Sequence, residues 1–141
     1  MSTRGTWFMR DRPVVTWLLI AALISLIHPF FASSRWLMVH IVALGGLTHA
    51  IMVWSIHFAN ALLKTKNIND RREQNWRLSL LQIGMIAVFV GVPTTWWWLT
   101  VIGALIISVA VIWHGIALWQ RVRKALPGRF RITIRYYLVA A

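Results

Sequence analysis

The sequence has no cysteine and only three acidic residues, Asp11, Asp70 and Glu73. The first absence excludes disulfides, thiolate zinc sites, iron–sulfur clusters, covalent c-type haem and any blue-copper centre built on a cysteine. The second leaves no carboxylate inside an apolar run to orient a base or relay a proton, so intramembrane acid–base catalysis is not expected. Histidine is then the main strong metal ligand, with methionine a weaker one.

Apolar and basic residues are what the chain has in plenty. Of its 141 residues 59% are hydrophobic, too large a share for a soluble domain of this length. Fifteen Lys and Arg give a net charge of +12. They lie in short connectors between apolar runs, where they orient a membrane protein and meet anionic headgroups, so the expected partner is a lipid bilayer and not nucleic acid. Basic residues precede the first apolar run without a small-residue cleavage site after it, which reads as a retained span.

These runs predict an all-α integral membrane bundle of four transmembrane helices with a truncated fifth. Residues 1–13 form a cytoplasmic arm, with Pro13 suited to a helix start. The membrane domain covers 14–119, with spans at about 14–31, 36–63, 77–92 and 97–119. The polar segment 64–77 connects spans two and three, and the uncharged turn 92–95 connects three and four. Residues 120–141 form a basic cytoplasmic tail, whose last six, YYLVAA, read as the opening of a further span; either the tail lies in the interface or, the favoured expectation, the chain is the front of a longer protein. Fourteen of the fifteen basic residues fall in the arm, the 64–77 connector and the tail, and only Arg35 falls on the other side. That asymmetry places the N-terminus in the cytoplasm of a multi-pass plasma-membrane protein. Trp17, Trp54, Trp76, Trp113 and Trp119 sort to one interface, and Trp36, Trp96, Trp97 and Trp98 to the other, as an aromatic belt requires.

All five histidines lie in apolar runs, where an ionisable side chain is a functional question by default. By depth, His28 and His40 share an outer layer, and His57 and His114 an inner one. His40 and His57 are about 25 Å apart along one helix at ~1.5 Å per residue, so they would serve two separate centres. Histidine pairs from neighbouring helices are what a helical bundle uses to hold haem iron. The expected cofactor-binding residues are therefore His28, His40, His57 and His114, with His57 and His114 the deeper iron pair. Copper is the alternative metal, since Met9, Met38, Met52 and Met85 add thioethers. Ala43, Gly46, Ala50 and Ala61 offer a small-residue stripe, read either as a porphyrin slot or as plain helix packing. His49 fits neither pair and is assigned to packing or hydrogen bonding.

The segments HIVALGGLTHAIMVWSIHFANALL (His40–Leu63), VIWHGIALW (Val111–Trp119) and GRFRITIRYYLVAA (Gly128–Ala141) resemble the membrane-embedded N-terminal region of a bacterial multicopper oxidase family. Members of that family are often described as copper-containing nitrite reductases. The helices are also similar to those of haem–copper oxidases. The resemblance implies that the family's histidines fall on His40, His57, His114 and His28, and that secreted copper domains follow the membrane region. This sequence departs at His49, where the family pattern has asparagine.

The expected function is a membrane-embedded electron-transfer module binding haem, of b type, with copper as the alternative. It would serve a copper oxidase or copper nitrite reductase, with a second copy of the chain as a further candidate partner. The chain is at most a membrane subunit or fragment of an oxidoreductase, because no complete catalytic site is legible in it. The other expectation is a cofactor-free anchor or assembly subunit, or a non-functional fragment of a longer membrane protein.

Overall fold

The computed structural model describes residues 5–30, 33–63, 70–124 and 136. Among the described residues the chain is helical throughout. Helix α1 spans Gly5–Ile27 and ends in a 3-10 turn, His28–Phe30. A continuous helical rod follows, made of α2 (Ser34–His40), a π-helical segment (Ile41–Thr48) and α3 (His49–Leu63). Helices α4 (Asp70–Gly91) and α5 (Trp97–Lys124) complete the bundle.

Among the described residues three stretches are long and apolar enough to cross a membrane: Arg12–Phe30, Ser34–Ala61 and Trp97–Arg121. They are three of the four spans expected, and length and composition do not confirm the fourth, on α4. Helix α4 falls short because its first two turns carry Asp70, Arg71, Arg72, Glu73 and Arg77. Its apolar part, from Leu78 to Gly91, covers about 21 Å at ~1.5 Å per residue, against a hydrocarbon core of about 30 Å. The polar segment expected to be a connector up to residue 77 is thus helical from Asp70 onward, while residues 64–69 lie outside the described ones. Helix α1 likewise starts well before Pro13, which stands inside it and removes one backbone hydrogen bond. The expected further span lies outside the described residues, Tyr136 excepted.

One core joins all the helices. Ala21 of α1, Ile41 of the π segment, Met52 and Val53 of α3, Leu78, Leu81, Met85, Val88 and Phe89 of α4, and Ala110 of α5 form it. A smaller cluster, Ile56, Ala59 and Leu118, continues the α3–α5 seam. Opposite faces of α1 and α5 expose Leu19, Leu23, Leu26, Leu105, Val109 and Ile112, as lipid-facing helices do.

The α4–α5 hairpin is the tightest pairing. A Cβ on Gly84 would stand 2.9 Å from the Gly103 carbonyl oxygen, and one on Gly103 would stand 2.8 Å from that of Gly84. Near the turn, a Cβ on Gly91 would meet Thr100 Oγ1 at 2.5 Å. Only glycine permits backbones this close. The turn itself is closed by Trp96 N–H donating to Gly91 O at 2.9 Å, with Thr95 in the left-handed region at φ 58.

Candidate functional site

The polar interior of the bundle lies along α3, where three side-chain contacts tie it to its neighbours. At its first residue, His49 is 1% exposed and its Nδ1 lies 2.8 Å from Gln82 Nε2 of α4. Gln82 Oε1 in turn accepts from the Trp17 indole of α1 at 2.7 Å. Two turns on, Ser55 Oγ is 2.9 Å from Nε2 of His114, itself 2% exposed. At the far end, Arg121 of α5 donates to Asn60 Oδ1. Away from water such bonds hold helices together where apolar surface cannot, because lipid tails are as apolar as leucine.

Trp17 sits where α1 meets the π segment. Its ring occupies the place that a side chain on Gly45 would need, since a Cβ there would be 2.6 Å from Trp17 Cγ. The other side of the ring meets Phe89 of α4 edge-on, with centroids 5.2 Å apart. Arg77, read from sequence as a connector cation, is fully buried, its guanidinium 5.7 Å from the Trp113 ring centroid of α5.

The inner pair expected from depth is not assembled by these helices. Ser55, the partner of His114, and His57 are two residues apart on an α-helix, about 200° around it. His57 accordingly lies on the exposed face of α3, edge-on to Trp54 with centroids 5.6 Å apart. His114 keeps Nε2 on Ser55, and its Nδ1 has no hydrogen-bond partner among the described residues. The cleft beside it, lined by Thr48, Met52, His114, Gly115 and Leu118 among others, holds about 100 Å³. Within this chain His57 therefore faces out and His114 faces in, on opposite sides of α3.

His28 and His40 stand at the α1–α2 end. His28 Nδ1 is 2.9 Å from Ser25 O of its own helix, and Ser34 Oγ donates to His28 O at 3.0 Å. His40 Nδ1 is 2.8 Å from Trp36 O, with the two rings stacked at 4.0 Å. A carbonyl can only accept, so each Nδ1 carries the hydrogen, and in the neutral ring Nε2 keeps its lone pair. Metal-ligating histidines commonly have this orientation. Among the described residues, no group of three or more histidine or acidic side chains converges as a metal site.

The small-residue stripe does not hold to one face. Gly46 is buried and Ala50 half-buried, whereas Ala43 and Ala61 are exposed. The π segment turns less per residue than an α-helix, so a wheel drawn at α-helical pitch loses register across it.

The Ser55–His114 contact has a measurable consequence. Ser55→Ala is expected to lower stability in detergent by about 0.6 kcal/mol and by no more than about 1.7 kcal/mol, the average and the maximum for interhelical hydrogen bonds in membranes. A denaturation midpoint unchanged from that of the native chain would mean the bond contributes nothing.

No protein-family model, curated protein or solved structure matches this chain.

Proposed function

We propose that the chain is a membrane-embedded electron-transfer module that carries a haem group, of b type, on His28 and His40. The observation supporting this pair is the Nδ1 anchoring of both rings to their own helix carbonyls, which leaves two Nε2 lone pairs at the same end of the α1–α2 hairpin. Bound there, haem would supply one-electron chemistry. The chain's own residues would hold it: Ser25 and Trp36 fix the two tautomers, and the Trp36 ring braces His40. Copper is the alternative occupant of the same two nitrogens.

The reading takes its partner from the resemblance of His40–Leu63, namely a copper oxidase or copper nitrite reductase domain. It takes α4 as a short fourth span, and the basic termini and connector as the cytoplasmic side of a plasma membrane. His28 and His40 then face outward, toward such a domain.

A second reading, a cofactor-free anchor or assembly subunit, is favoured by the other buried histidines. His49 and His114 each have a ring nitrogen engaged by another helix, as structural histidines do.

Optical spectra of the detergent-purified chain, oxidised and dithionite-reduced, with a pyridine haemochrome assay, separate the readings. A bis-imidazole spectrum abolished by His28→Ala or His40→Ala and retained in Ser55→Ala is the expected result. Retention of the spectrum in both histidine variants moves the ligands elsewhere, and a colourless folded protein leaves the anchor.

A further inference from the structure

The contact between Trp17, Gln82 and His49 has a direction that the chemistry of the three groups dictates. An indole nitrogen is a donor only, so the Gln82 atom facing it at 2.7 Å is the amide oxygen. The amide nitrogen is then the atom 2.8 Å from His49, and it donates. His49 Nδ1 must therefore accept with its lone pair, and the ring is neutral with its hydrogen on Nε2.

A protonated imidazole carries hydrogen on both nitrogens. It would face the Gln82 amide donor to donor. Turning the amide over would satisfy His49 and set its nitrogen against the Trp17 N–H. Every arrangement with a charged His49 therefore loses one of the two bonds.

Both ends of this relay bear on the π segment. The Trp17 ring presses on Gly45 in its middle, and His49 is the residue that follows its last one, Thr48. Extended π-helical runs are rare, and short π-bulges occur frequently at functional sites. This run of eight residues is clasped between α1 and α4 by the same three side chains.

We propose that Trp17, Gln82 and His49 form a proton-sensitive latch: with His49 neutral the relay clasps the π segment, and protonation of His49 releases Trp17 or His49 from Gln82. The ionisable residues of the helices packed around it lie mostly toward their ends. They are Arg10, Asp11 and Arg12 on α1, Arg35 and His40 on α2, Asp70, Arg71, Arg72, Glu73 and Arg77 on α4, and Arg121, Arg123 and Lys124 on α5. Arg77, the nearest of the α4 cations in sequence to Gln82, turns its guanidinium to Trp113, and His114 of α5 is held by Ser55. The latch stands independently of any cofactor.

Nitrogen-15 NMR of the full chain in detergent or nanodiscs tests it. His49 is assigned through His49→Gln and Trp17 through Trp17→Phe. Near neutral pH the expected His49 pattern is a bare Nδ1 and a protonated Nε2. Between about pH 8 and about pH 5, the range over which histidine changes charge, protonation of His49 should accompany about a tenfold rise in Trp17 indole exchange relative to a free indole at the same pH, the effect of one lost hydrogen bond. In His49→Gln that relative rate should lose its pH dependence, while far-ultraviolet circular dichroism reports on global unfolding in both. The opposite tautomer near neutral pH overturns the latch. So does a Trp17 indole indifferent to His49 protonation, or a His49 that stays neutral across the range.

Discussion

Gly84→Leu is expected to force α4 and α5 apart and to be among the most destabilising single changes in this chain. The obstacle at position 84 is largely backbone: a Cβ there would lie 2.9 Å from Gly103 O, 3.0 Å from Ile107 N and 2.8 Å from Ile107 Cγ1. Position 103 is as closed, with Gly84 O at 2.8 Å and Val88 N at 2.9 Å. A flexible side chain can swing away, but a helix backbone can yield only by moving the whole helix. Overpacking of a close-packed interior costs about 1–3 kcal/mol, and Gly84→Ala should already lie in that range, with leucine beyond it. Gly115→Ala is the matched control, because nothing lies within 4 Å of the Cβ it would add. Unfolding by denaturant in detergent measures all three. A Gly84→Ala chain as stable as the control would mean that the two backbones do not approach as described.

Gln82→Leu should have the second largest effect, for a different reason. Leucine fills similar space but strands two groups at once, the half-buried Trp17 indole N–H and the buried His49 Nδ1. An unpaired buried polar group costs about 1–3 kcal/mol. Membrane interiors return less, because the unfolded chain finds other partners, so a loss of about 2 kcal/mol in total is expected. Trp17→Phe keeps a ring over Gly45 and removes only the donor. In a double-mutant cycle, Trp17→Phe should therefore be much milder in the Gln82→Leu background than alone. Strict additivity of the two changes would show that the indole and the amide do not interact.

The membrane character of the chain was plain in its apolar runs, and the placement of its basic residues marked the helix ends. The break at 92–95 was legible too, and with it a signal that went unused. Gly84 and Gly103 stand equally far on either side of that turn, as two facing glycines of a close hairpin must. Arg77 had a signal as well: Gln74, Arg77, Leu78, Leu81, Met85 and Val88 recur at helical spacing and are all buried, so the interior stripe of α4 begins inside its charged segment.

The histidines were harder, because counting residues gives depth along a helix but not the face. His57 and His114 match in depth, yet α3 turns His57 outward and Ser55 toward His114. The π segment compounded this by shifting the register of everything beyond it. His49, which fitted neither pair by depth or angle, is hydrogen-bonded to another helix.

The sequence separations of the interhelical bonds also order events during synthesis. Trp17 and Gln82 are 65 residues apart, and Ser55 and His114 are 59 apart. At roughly 5–20 residues per second, the Trp17 indole waits several seconds in the bilayer before its partner exists. The first two apolar stretches are thus made with polar side chains uncommitted. The helix that answers them, α4, is too short in its apolar part to settle there readily by hydrophobicity alone. A ribosome paused between α3 and α4 would leave the hydrogen-bonding groups of Trp17 and Ser55 open to the wrong helix.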